Sequence, residues 1–208
     1  MYNIVPRMLE MDNGDIALIG SASITTGESS RSAPDMNNRT HMKATTTFNV
    51  GPVVVLFPDL KGKTFDQVII PRQIELYKSA SSGSQPIQIV SAPGISSVPA
   101  EFIAKPLGSE IVIIYNDNLE NLSASADGKV KVSKKTGDLE LAEAFINKEK
   151  KLEYRKLVNQ TNKVRATYYL GDAISTNSSN IVFPIGKEGQ GFSALNTFFT
   201  NWCFLEIK

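Results

Sequence analysis

"ATTTFNVGPVVVLFP" occupies residues 44–58, and its composition decides the class of fold. Thr, Val and Phe dominate it. β-Branched and aromatic side chains suit a pleated, half-buried surface, so the stretch predicts strand. Gly51-Pro52 interrupts it. Proline has no N–H to give to a ladder, so Pro52 predicts a bulge, an edge or a strand break.

The same signature recurs on both sides of this stretch. "DIALIG" (15–20) predicts a short strand. "DQVIIPRQIELYK" (66–78) predicts a strand pair or one bent strand, with Pro71 at the bend. "QPIQIVS" (85–91) alternates Ile87, Gln88 and Ile89. "SEIVIIYN" (109–116) is apolar on both faces, as a central strand is. "SADGKVKVS" (125–133) carries Asp127-Gly128, a pair that favours a tight hairpin turn. "KVRATYYLG" (163–171), "NIVFPIG" (180–186) and "TFFTNWCFLEIK" (197–208) predict three more strands. Both faces of the last are apolar, with Trp202 and Phe204 on one and Cys203 and Leu205 on the other, which places it in the core.

One segment departs from the pattern. "GDLELAEAFINKEKKLEYRKLVNQ" (137–160) has no proline and no interior glycine. Leu141, Ala144, Phe145 and Leu152 fall near helical spacing, Asp138 can cap, and acidic residues precede basic ones as the helix dipole prefers. The expected fold is therefore mostly β, a jelly-roll-like antiparallel sandwich with one inserted α-helix at about 138–158. At 208 residues it suits a single domain spanning 1–208.

A polar stretch lies close to the start. "SASITTGESSRSAPDMNNRTHMKATTT" (21–47) has 11 Ser or Thr among 27 residues, with Ile24, Met36 and Met42 as isolated apolar groups. So few apolar groups offset the ordering cost poorly. The stretch reads as a polar arm or long loop, mobile in an isolated chain, whose three apolar residues anchor it on a neighbouring subunit.

Motifs for chemistry are missing. His41 is the one histidine, with no acid or cysteine at ligand spacing. Cys203 is the one cysteine, so no internal disulfide forms. "LKGKTF" (60–65) ends like a phosphate loop, but Phe57 stands where glycine is needed. The glycines of "PIGKEGQGF" (184–192) lack dinucleotide spacing. Lys135-Thr136-Gly137 has no accompanying serine motif. Glu75, Glu101 and Glu110 lie near strands without a sign of convergence. The expectation is a non-enzyme with no catalytic residue, metal or cofactor. No apolar run reaches the ~20 residues of a membrane span, and the acidic N-terminal region lacks a signal peptide's apolar core, so synthesis in a cytoplasm is expected.

Charge is unevenly spread. Residues 129–165 hold 11 of the 22 Lys and Arg against 5 Asp and Glu, a local +6 within a net +1. Lys148, Lys151 and Arg155 are the expected subunit contacts, meeting acidic surface on another copy. Contact with nucleic acid is a lesser reading of the same segment, because Phe145 and Tyr154 are too few for a stacking platform.

These features together point to a structural protein that works by self-assembly. In general character the chain resembles capsid proteins of viruses or phages. That resemblance implies a virion location, with copies of itself and other virion proteins as partners. The first 47 residues carry five acids against four bases, which departs from the basic arm of many RNA-packaging capsid proteins. The alternative is a ligand-binding β-sandwich, such as a carbohydrate-binding module or an appendage tip, with Tyr77, Tyr115, Tyr168, Tyr169 and Trp202 to stack on sugars.

Overall fold

The computed structural model describes residues 2–4, 6–31, 36, 42–59, 64–82, 101–123, 129–134, 138–157, 166–168, 170, 173–175, 180–187 and 199–206. Among them the fold is mostly β, and every ladder between named strands is antiparallel. Sheet A contains β1 (Tyr2–Ile4), β2 (Arg7–Glu10), β3 (Ile16–Arg31), β4 (Met42–Pro58), β5 (Phe65–Ile70) and β6 (Ile74–Ser82). Sheet B is an up-and-down run of β7 (Phe102–Leu107), β8 (Glu110–Asp117), β9 (Glu140–Ile146) and β10 (Leu152–Lys156). Sheet C contains β11 (Ala166–Tyr168), β12 (Ile174–Ser175), β13 (Asn180–Lys187) and β14 (Phe199–Glu206). The predicted strands at 85–91 and the turn at Asp127-Gly128 lie outside the described residues. So do His41 and the side chains of Trp202 and Cys203.

The sheets stack in a sandwich-like order. Alternate residues of sheet A, among them Ile19, Val53, Val55 and Ile70, share one apolar cluster with Ile111, Ile113, Tyr115, Ala144 and Ile146 of sheet B. The other face of sheet B supplies Val112, Ile114 and Leu141 to a second cluster with Ile181 and Phe183 of sheet C. Sheet B is thus covered on both faces. This is why "SEIVIIYN" is apolar throughout: β8 is buried from Ile111 to Asp117.

The stretch at 44–58 forms most of β4, the spine of sheet A. Its two halves have different neighbours. Residues Val53–Pro58 pair with β5, while Met42–Val50 pair with β6. The break falls at Gly51-Pro52, where two residues of β4 stand opposite Ala22 alone, since Ser21 pairs Val53 and Ser23 pairs Val50. Pro52 therefore sits in a bulge, one of the three outcomes its missing N–H allows. On the other side of β4 the chain turns the same corner at Pro71, between β5 and β6.

The inserted helix expected at about 138–158 is absent from the described residues 138–157, which hold the β9–β10 hairpin. Both faces of β9 are covered, Ala142, Ala144 and Ile146 by one cluster and Leu141 and Phe145 by the other. With both faces buried the apolar residues run almost continuously, and a subset of such a run always falls at helical spacing. Asn147 then ends the strand. Its side-chain Oδ1 accepts from the N–H of Glu149 and of Lys151, both at 3.0 Å, and its carbonyl accepts from Lys150 N at 2.8 Å. Such side-chain bonds to the local backbone favour turns over helix. Lys150 takes the left-handed position of that turn, with φ of 62°.

The polar stretch is also more ordered than a long loop. Ser21–Arg31 belongs to β3 and pairs with β4 as far as Arg31 opposite Met42. With β6 on the far side of β4, the arm is a three-stranded ribbon. Its Thr residues carry the strand propensity that a count of apolar groups overlooks. Residues 32–35 and 37–41 lie outside the described residues.

Candidate interaction surface

Sheet A has a second face, turned away from sheet B. Residues alternate across a strand, so the positions between the core residues point outward. The register sets them in rows. Met8, Leu18, Leu56 and Gln67 are direct neighbours across four strands. Gly20, Val54 and Ile69 form the row on one side, and Glu10 with Ile16, and Pro58 with Phe65, fall on the other. The face is apolar except for Glu10 and Gln67, yet it is open. Met8 is 67% exposed, Phe65 63%, Ile69 39% and Leu18 37%. Among the described residues, only Met36 at the arm's turn and Ile174 in β12 are other large apolar side chains as open as these.

Single exposed apolar groups are ordinary, and the largest contiguous patch on a protein, commonly about 300–600 Å², is often a functional one. The outward side of an antiparallel sheet is normally polar. Four strands by about five residues make this one roughly 300 Å² in plan, from the standard strand spacing and rise.

At one end of sheet A the side turned toward sheet B is acidic. Asp15, Asp59 and Asp66, with Phe57, Thr64, Phe65 and Lys150, line a depression of about 590 Å³. Lys150, at the tip of the β9–β10 hairpin, forms an ion pair with Asp66 and lies 5.3 Å over the Phe57 ring. This contact ties the hairpin of sheet B to the edge of sheet A.

The opposite end is the bulged corner, which is built on a buried arginine. Arg72 is 1% exposed. Its Nη2 donates to Ser21 Oγ at 3.0 Å and its Nε to the Gly51 carbonyl at 3.4 Å, while Ser21 Oγ donates to that carbonyl at 3.2 Å. The guanidinium therefore fills the inside of the bulge. Burial lowers its pKa to about 10, and the largest opposing charge effect comes from Asp117 at the end of β8.

Asp117 in turn anchors the segment beside β6. Its Oδ1 accepts from Asn121 Nδ2 at 3.0 Å. Asn121 also clamps the backbone of Lys131, accepting from its N–H at 2.7 Å and donating to its carbonyl at 3.0 Å. Two residues on, Ser133 exchanges backbone bonds with Gln73 and Glu75, at 3.0 and 2.8 Å. The corner of sheet A and the end of sheet B are thus held by one polar network.

Burial pushes the Asp117 carboxyl up to about 6, against the opposing pull of Asn121, the Asn118 N–H and Arg72. The folded chain then binds this proton more tightly than the unfolded chain, whose carboxyl titrates near 4. Stability is fully present below the unfolded value and falls as pH rises from about 4 to about 6, by ~3 kcal/mol. Glu143, also raised by burial, acts with the same sign. Urea melts across this range should show the decline, and Asp117→Asn should flatten most of it. A wild-type slope of the opposite sign would refute the assignment.

No protein-family model matches this chain, and no curated protein and no solved structure matches it.

The residues expected to make subunit contacts fall on two separate elements. Ile24 lies on β3, half-buried, in a groove of about 660 Å³ beside the corner that Asn49, Pro52, Ile69 and Arg72 also line. Met36 is exposed at the arm's turn, and Met42 begins β4 opposite Arg31. Lys148 and Lys151 stand exposed at the β9–β10 hairpin, Lys151 paired with Glu149 at 2.8 Å. Arg155 is exposed on β10, its guanidinium 5.7 Å over the Phe145 ring. The structure does not gather these six. The outer face of sheet A was not singled out by the sequence. Its signal was the lack of alternation in Val53–Phe57, which reads equally well as a strand buried on both sides. Among the described residues no group of three or more His, Cys, Asp or Glu could hold a metal ion. No helix among them is long and apolar enough to cross a membrane.

Proposed function

We propose that this chain is a structural subunit that assembles with copies of itself, of the kind that builds viral or phage particles. The observation that carries the reading is the open apolar face of sheet A, with Met8, Leu18, Phe65 and Ile69 on one side of one sheet. A face of that kind is stable in water when another surface covers it. The arm adds to the reading, since Thr25–Arg31 is exposed along its whole length on both faces. The role proposed is structural, in a virion, with other virion proteins as further partners. A jelly roll would connect strands across two sheets in Greek-key order. The ladders here join strands close in sequence, so the proposal stands on surface chemistry and not on that topology.

Sedimentation velocity over a wide concentration range tests the reading. Oligomers are expected, and a strict monomer at every concentration would reject it. Salt separates two modes of contact. An assembly that persists at high salt uses the apolar face. One that dissociates uses the opposed charges of 129–165 and the rest of the chain, including Lys148, Lys151 and Arg155, because salt screens exposed charges. Retention of that segment on a nucleic-acid column at low salt would support the lesser nucleic-acid reading.

The second reading, a ligand-binding β-sandwich, is favoured by the depression at the acidic end. Phe57 and Phe65 beside three carboxylates are the groups that stack on a sugar ring and accept from its hydroxyls. A glycan array on a monomeric sample tests it.

A further inference from the structure

We infer that the groove at the bulged corner of sheet A binds a small aliphatic carboxylate, with the carboxylate on Nη1 of Arg72 and the apolar body along the groove walls. The site does not depend on assembly.

The guanidinium selects the head group. Arginine presents its N–H donors in a planar fork. Nε and Nη2 form one edge of that fork, and both are used at the corner, on the Gly51 carbonyl and on Ser21 Oγ. Nη1 lies off that edge. It is buried and has no hydrogen-bond partner among the described residues. No carboxylate among them forms an ion pair with Arg72 either, and Asp117 acts on it as a charge beyond ion-pair distance. Buried donors are nearly always satisfied, and a buried charge without a partner is costly. An acceptor with one negative charge answers both needs, and carboxylates suit guanidinium geometry.

The walls select the body. Arg72 lines a groove of about 660 Å³ together with Ile24, Val50, Pro52, Ile69 and Val130. It is the one charged side chain among the lining residues. One cation matches a monoanion, whereas a phosphate brings more charge than the groove answers. Apolar walls with a few fixed polar groups are the usual make-up of a small-molecule site. Arg72 is 1% exposed, so an anionic group must shed water to reach it. An aliphatic chain buried along the walls offsets that cost, and a small hydrated ion has no such compensation.

Hexanoate is the probe, titrated into the full-length chain near neutral pH and followed by amide chemical shifts. Saturable shifts are expected at Gly51, Gln73 and Val130, which line the groove. Hexanamide, alike in shape but uncharged, is expected to bind at least about tenfold more weakly. Two further tests use variants. Ile69 is 39% exposed, so Ile69→Glu and Ile69→Gln should both keep the fold. The glutamate is expected to weaken hexanoate about tenfold relative to the glutamine, because like charges oppose each other in the groove. Arg72→Met combined with Asp117→Asn removes the cation and the charge that opposes its burial. Once circular dichroism shows that this chain folds, its preference for hexanoate over hexanamide should be gone. Absence of saturable shifts with hexanoate would overturn the inference. Equal affinity of the wild type for both probes would do the same, as would equal hexanoate binding in the two Ile69 variants or a preference retained in the double variant. Displacement of hexanoate by an equal concentration of inorganic phosphate would mark a site for any anion and overturn the carboxylate assignment. None of these results bears on self-assembly, which sedimentation tests separately.

Discussion

Replacing Phe183 by alanine is expected to cost about 3–5 kcal/mol, the range for removing a fully buried aromatic ring. Phe183 is completely buried on β13. It sits in the cluster where sheet C meets the second face of sheet B, beside Val112, Ile114 and Leu141. The loss combines apolar surface returned to water with the void left where neighbours cannot close in. For a chain of this size the melting temperature should fall by on the order of 10 °C. Ile174→Ala is the control. That residue also belongs to sheet C but is 59% exposed, so its truncation should stay within ~0.5 kcal/mol. Urea unfolding of both variants measures the difference. If Phe183→Ala matched the control, sheet C would not be packed on sheet B, and the stack of three sheets would reduce to two.

Most strands were legible because β-branched and aromatic runs suit a pleated, half-buried surface. The bulge was legible too. Pro52 cannot donate a hydrogen bond wherever it stands, and Pro71 marked the matching bend between β5 and β6. The β9–β10 hairpin was misread because its evidence was periodicity, and periodicity loses its meaning once both faces are buried. Asn147 held the opposing signal, a side chain able to close a turn, in a segment otherwise free of breakers. The surface was harder still. Val53–Phe57 shows that both faces of β4 are apolar, but coverage of a face depends on where other sheets lie. Those positions are set by contacts distant along the chain. Arg72 gave no sequence signal at all. A lone arginine after Pro71 reads as a solvated corner, and its burial follows from two strands bending around it.

Arg72→Ala is expected to destabilise the chain by about 3–5 kcal/mol, the cost of removing one partner from a buried, charged network. The change strips a donor from Ser21 Oγ and another from the Gly51 carbonyl. It also leaves the Asp117 carboxyl buried without its compensating cation. The charge loss and the shape loss can be separated. Arg72→Met keeps much of the volume, and Asp117→Asn removes the orphaned charge. A chain carrying both should recover most of the loss, because a buried ionic network replaced by neutral groups of similar size is often close to neutral in stability. In Arg72→Ala alone, Asp117 loses a charge that favours its ionised form, so its pKa rises further. The decline in stability with pH then extends above the wild-type window of about 4 to 6. Because the guanidinium binds the bulge where body and arm meet, amide exchange should quicken in Ser23–Arg31, Met42–Val50 and Ile74–Ser82 before it does in β8 and β9. Numbers alone decide the matter. If the double variant is as unstable as Arg72→Ala, and exchange rises evenly through all three sheets, Arg72 serves packing only and the charge network does not set the corner.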